Sequence, residues 1–197
     1  VPSLLMGYHV PVIGTDGVDW EPYALQVLTG VLDGGDSARF AREIVRGQQI
    51  AAGLDTDYNP YSPFPVLLLF SATPANGHSS ADVEKAVREQ IERIKREPVT
   101  DAELRRVKAQ VVAGDVFSRD SVFYQAMRIG TLETIGLDWR LIDKSVERIQ
   151  AVTAEQVQQV ARKYLNDDNL TVAVLDPLPM KKQRTPLRGR TGDAHAR

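Results

Sequence analysis

The sequence predicts an α+β domain, a two-layer arrangement in which one sheet of about four strands is covered mainly on one face by six or seven helices. Three observations predict it. Strand-like and helical patterns are segregated along the chain rather than alternating, with a long helical run in the second half. The segment Val66–Ala72 is nearly all apolar, as expected of a central strand buried on both faces. Each helical segment carries one apolar stripe, and such stripes need a common surface to cover.

Taken in order, Leu4, Met6, Tyr8, Val10 and Val12 alternate on one strand face, with Pro11 near the strand's end because it cannot donate to a ladder. A helix follows from about Trp20, tolerating Pro22 in its first turn and repeating Tyr23, Val27, Leu28, Val31 and Leu32 at helical spacing. Gly34-Gly35 stops it, and Asp36 or Ser37 is expected to cap a second helix reaching about Gln48. A strand near Ile50–Asp57 and the turn-rich Tyr58–Pro63 precede the apolar run. Ser79 or Ser80 opens a helix with the stripe Val83, Val87, Ile91, Ile94. Two capping boxes, Thr100 with Glu103 and Thr153 with Gln156, start further helices, and two more are expected over 121–134 and 138–150. Leu170–Leu175 alternates as a last strand before Pro177. One domain over residues 1–178 accounts for all of these, followed by a basic tail, 179–197, whose Thr, Gly, Pro and Arg content reads as disorder.

Composition narrows the chemistry. With 197 residues, 43% hydrophobic and 25% charged, the chain can bury a core without staples. Cysteine is absent, which removes disulfides, thiolate zinc sites and cysteine nucleophiles. Net charge is −2 overall, but the basic residues from Lys181 onward conceal a body of −7. An acidic body argues against nucleic acid as a partner. The longest apolar run, Pro65–Phe70, is strand-sized, so no membrane span is expected. The start, Val1-Pro2-Ser3-Leu4-Leu5, has neither an initiator Met nor signal-peptide features, and reads as a fragment or a processed form.

Zinc hydrolases need several His or carboxylate ligands at helical or turn spacing. His9, His78 and His195 are far apart, and both HExxH and HxxEH are missing. Solvated or hydrogen-bonded histidines account for all three. There is no G-x-S-x-G elbow, no phosphate-binding GxxxxGK[ST] and no GxGxxG. Gly34-Gly35-Asp36-Ser37 could present N–H groups to an anion, although a tight interhelical turn explains the same residues. The acids Glu84, Glu89, Glu92 and Glu97 sit beside Arg88, Arg93 and Arg96 as a solvated helix face. The residues alone therefore point to a soluble α+β domain with no visible catalytic apparatus; spacing alone leaves a metal site open, but nothing supports one.

The stretch Tyr23–Gly53, YALQVLTGVLDGGDSARFAREIVRGQQIAAG, resembles a family signature: an entry helix, a Gly-Gly-x-Ser-x-Arg turn, then a helix ending in Val-Arg. Gly7-Tyr8-His9-Val10-Pro11, Pro98-Val99-Thr100-Asp101-Ala102-Glu103-Leu104 and Ile149–Val157 are similar to that family's other segments, in the same order, over about residues 3 to 177. The family is that of insulinase- or pitrilysin-type zinc metallopeptidases, similar to the mitochondrial processing peptidase and bacterial zinc proteases, and the match is to their carboxy-terminal, non-zinc-binding domain.

The resemblance implies a processing-peptidase-like fold and a division of labour. Paired homologous domains enclose a peptide substrate. One carries HxxEH and the zinc, while the partner lacks the ligands and supplies substrate contacts. For this chain it implies no catalytic and no metal-binding residue, zinc only in the complete enzyme, and a homologous HxxEH-bearing domain or subunit as partner. It is also compatible with a dimer, and bacterial relatives suggest a periplasmic or other envelope location. The family's substrate-contacting Arg falls on Arg46, but the Tyr expected seven residues later is replaced by Gly53. Arg46 could donate charge-assisted hydrogen bonds to a peptide, or serve only to offset a helix dipole. The strand near Ala51–Asp57 is the candidate edge for holding substrate as an added strand. The alternative is a structural or assembly subunit on the same fold, without peptidase activity.

Overall fold

Alternation in the first segment becomes strand β1 (Ser3–Val10) in the computed structural model, which describes residues 1–14 and 19–178. Leu4, Met6, Tyr8 and Val10 are buried, while His9 lies exposed on the other face. The strand stops before Pro11, and Val12 lies beyond it. The other strands are β2 (Ala51–Asp57), β3 (Val66–Pro74) and β4 (Leu170–Leu175). They form one sheet in the order β2-β3-β1-β4, and every pairing is antiparallel. The basic tail expected over 179–197 lies outside the described residues.

Six α-helices accompany the sheet among the described residues: α1 (Glu21–Asp33), α2 (Ser80–Arg96), α3 (Asp101–Arg119), α4 (Val122–Thr134), α5 (Leu141–Ala151) and α6 (Ala154–Tyr164). None is long and apolar enough to cross a membrane. Helices α1, α2 and α6 lie on one face of the sheet, and α3, α4 and α5 stack outside them. The predicted stripes of α1 and α2 are buried, and Thr100 and Thr153 form the predicted capping boxes. At the centre, Phe70 meets Tyr8 and Phe40 edge-on, with ring centroids 5.9 and 5.5 Å apart.

Two expectations are corrected. β3 is not buried on both faces: Leu68, Phe70 and Ala72 face the helices, whereas Leu67 and Ser71 are exposed on the opposite face. Its apolar run reflects a sheet whose second face is itself apolar, with Leu5 of β1 on the same open side. The segment after Gly34-Gly35 is a π-helix (Phe40–Gly47), and neither Asp36 nor Ser37 caps it. The chain instead turns through Gly35 at φ +83°, which an L side chain adopts only under strain. Ala38 then donates back to the Gly35 carbonyl at 2.9 Å.

That turn is held by α3. The Arg39 guanidinium, 4% exposed, makes a two-pronged pair with Glu103, 14% exposed, at 2.7 and 2.9 Å. Glu103 also accepts from the Thr100 amide at 2.9 Å, closing its capping box. Arg106 and Gln110, one and two turns along, donate to the Gly34 carbonyl at 2.8 and 3.0 Å and satisfy the end of α1. Burial alone would raise the Glu103 carboxyl, but the bonds from Arg39 and Thr100 outweigh it and hold the group at about 2 rather than 4.5.

Glu103→Gln should leave the Arg39 charge buried and unmatched, lowering stability by about 3 kcal/mol in urea denaturation. The folded-state pKa lies below the unfolded one, so the wild-type contribution is complete above about pH 4.5 and disappears as pH falls towards about 2. The variant's own stability should be flatter across that interval. An equally steep acid loss in the variant would show that other carboxylates govern it.

Candidate functional site

The π-helix, the turn after it and the β2 edge form one contiguous region that contains every residue singled out above for substrate contact. Successive turns of a π-helix close through i→i+5 bonds, and such turns are found disproportionately at functional sites. Gly47 is required where this one ends, since a Cβ there would stand 2.9 Å from the Arg42 carbonyl oxygen. Gln49 follows at φ +56°, an uncommon conformation for a residue other than glycine, and Ile50 donates to the Ile44 carbonyl at 3.1 Å. The chain thereby reverses directly into β2.

Glu43 anchors the π-helix to α2. Its carboxylate accepts from Gln90 at 2.8 Å and from Arg93 at 3.2 Å, while Arg42 reaches it at 2.6 Å. Burial raises the Glu43 carboxyl, yet the bonds from Arg42 and Gln90 and the Arg93 charge bring it below the ordinary value. This clamp was not legible beforehand, because Glu43 and Gln90 stand 47 positions apart and each reads locally as a surface helical residue.

Arg46 occupies the last turn of the π-helix and is half exposed. Its guanidinium donates to the Asp36 carbonyl and approaches the fully exposed Asp36 carboxylate at 3.6 Å. An ion pair this exposed holds the side chain only weakly, so Arg46 is a cation that can be redirected. Gly53 lies in β2 just after a bulge between Ala51 and Gly53, where the register with β3 slips by one residue. A Cβ at Gly53 would meet nothing within 4 Å, and its backbone is not left-handed, so the position has room for a large side chain. Tyr58 and Tyr61, further downstream, are committed elsewhere. Tyr58 donates to the Pro11 carbonyl at 2.7 Å, and Tyr61 lines a cleft beside α4.

β2 pairs with β3 alone, so its other side is a sheet edge. β4 forms the opposite edge. The β2 edge is partly occupied: the Thr56 amide donates to Asp33 at the end of α1, at 2.7 Å. Burial pushes the Asp33 carboxyl above its ordinary value despite that bond. Strand alternation then directs the Leu54 N–H and C=O to the same open side, next to Gly53.

His9 is on the exposed face of β1 and His78 in the loop before α2, while His195 lies outside the described residues. Among the described residues, no three His, Cys, Asp or Glu side chains come together as a metal-binding group.

Residues 2–111, more than half the chain, match the family model described as the Peptidase M16 inactive domain. An uncharacterized zinc protease of Mycobacterium leprae is 28% identical over 171 residues, covering 86% of this chain and 38% of the relative. An inactive peptidase domain from Bordetella parapertussis superimposes with a TM-score of 0.80 at 22% identity, covering 95% of this chain and 96% of that one. A Helicobacter pylori protease gives a TM-score of 0.81 at 20% identity, covering 89% of this chain and 41% of that one. At such identities the solved structures establish the fold alone. The chain spans about two fifths of the length of the curated relatives it matches. The Gly-Gly turn, the α1 stripe and the antiparallel four-stranded sheet thus have a common explanation: the chain belongs to the insulinase-type peptidase family, as an inactive M16 domain.

Proposed function

We propose that this domain is the substrate-binding, non-catalytic half of a zinc-dependent peptidase acting on peptides or unfolded polypeptides. The zinc is supplied by a homologous HxxEH-bearing domain or subunit. The observation that carries this reading is the open β2 edge at Leu54, which emerges from the turn that presents the half-exposed Arg46. An edge strand recognises an extended chain through backbone hydrogen bonds, which suits loose sequence preference. A guanidinium beside it can donate to a peptide carbonyl or terminal carboxylate. The zinc-protease names of the longer relatives support placing the metal in a partner.

A second reading, an assembly subunit without peptidase activity, is favoured by two features. Gly53 stands where the family's pattern has Tyr, and Asp33 already occupies the Thr56 amide.

Two measurements separate the readings. The chain alone should leave an unfolded polypeptide intact, and mixing it with its HxxEH-bearing partner should yield zinc-dependent cleavage. A stable complex that does not cleave would favour the assembly role. In the active complex, Arg46→Ala should lower kcat/KM by about tenfold or more, the loss expected for one charge-assisted hydrogen bond. Its stability should change by less than about 0.5 kcal/mol, because the Asp36 contact is exposed. Gly53→Tyr should fold normally, since the added side chain meets open space, and should raise kcat/KM. If Arg46→Ala leaves kcat/KM unchanged, Arg46 does not contact the substrate.

A further inference from the structure

α4 is left exposed along most of its length. Its one buried residue is Leu132, and Arg128 reaches Asp115 and Ser118 of α3 at 2.9 Å, whereas Tyr124 is itself 53% exposed and meets Phe123 edge-on at 5.9 Å. The stripe Val122, Phe123, Ala126, Met127 is exposed, with Val122 82% and Phe123 72% accessible. Phe117, near the end of the preceding helix α3, is also exposed, 74% accessible. From Val122 to Met127 there is no charged side chain. A run of exposed apolar side chains along one helix marks an interaction surface, whereas apolar residues exposed singly carry no such meaning. A helix of 13 residues with so little burial also gains little stability of its own in water.

We propose that this α3–α4 face is the surface on which the HxxEH-bearing homologous domain docks. The inference rests on the paired-domain reading above and adds the location of the contact. The occupant is indicated by the length of the relatives, more than half of which lies outside the matched region. A charge-free stripe with two aromatic anchors is the composition of a permanent interface, where charged residues are depleted and aromatics carry most of the binding. The small Ala126 and Gly130 allow a partner element to approach α4 closely. Beside it, a cleft of about 120 Å³, lined by Tyr61, Met127, Leu132 and Ile142 together with Asn59, Arg128 and Thr131, can receive one projecting side chain.

The test uses this chain and its HxxEH-bearing homologous domain or subunit, expressed as separate polypeptides and titrated against each other by calorimetry. Phe117→Glu and Phe123→Glu should each weaken the complex by about 30-fold or more, the loss typical of an anchoring aromatic. Both side chains are exposed, so Tm should stay near that of the unaltered chain. Leu67→Glu, on the open sheet face, should bind normally. If both α4-face variants bind with full affinity, the docking surface lies elsewhere and the paired-domain reading stands. If the unaltered chain forms no complex, that reading fails, and this inference with it. If the chain alone is a dimer that these substitutions dissociate, a second copy occupies the face and the proposal is overturned.

Discussion

The buried pair between Arg39 and Glu103 is the constraint on which the remaining geometry rests. It ties the turn after α1 to the first turn of α3, across 64 positions of sequence. Arg39 immediately precedes the π-helix, so fixing its guanidinium fixes where that helix begins. The same two turns of α3 satisfy the end of α1 through Arg106 and Gln110, and Val107 packs so closely on Gly30 that a Cβ there would stand 2.6 Å from it. One Arg39 nitrogen, Nη1, is buried with no hydrogen-bond partner among the described residues, so the pair is not an unalloyed gain in stability. Its contribution is better understood as register: a fork that fits one carboxylate in one place.

The register set there propagates to the sheet. The Asp33 carboxylate, at the end of α1, reaches the Thr56 amide in β2, and Glu43 links the π-helix to α2. Edge strand, cationic turn and supporting helices are therefore placed by three polar contacts, while the core beneath them is apolar and aromatic. Those contacts divide the labour sensibly. Packing supplies most of the stability, and directional bonds determine which backbone groups remain available.

Much of this was readable in advance where the signal was local. Capping boxes at Thr100 and Thr153 place a helix start within a residue, because the side chain and the amide it satisfies are three positions apart. The alternation of Leu4, Met6, Tyr8 and Val10 gave the buried face of β1 for a similar reason. The failures were non-local. A seven-residue apolar run cannot by itself tell a strand buried on both faces from one whose second face is left uncovered, so Leu67 was misplaced. Asp36 and Ser37 are plausible caps by residue type, but the cap depends on φ and ψ values that Gly35 and the Arg39 pair dictate. Within the candidate site, the family pattern pointed to Arg46 and the β2 segment, whose contact with a substrate is proposed. The Glu43 clamp and the Asp33 contact were not, since their partners are distant in sequence.

The winding between Phe40 and Gly47 restricts how this segment can change over evolutionary time. A π-turn accommodates one residue more than an α-turn, so losing a single position would restore ordinary α winding. Each residue of an α-helix advances about 100° around the axis. The deletion would therefore swing the guanidinium of Arg46 roughly a quarter-turn away from the chain reversal at Gln49, even with every hydrophobic neighbour unchanged. Substitutions here alter chemistry, whereas length changes re-aim it, and the eight-residue span should drift in composition far more freely than in length.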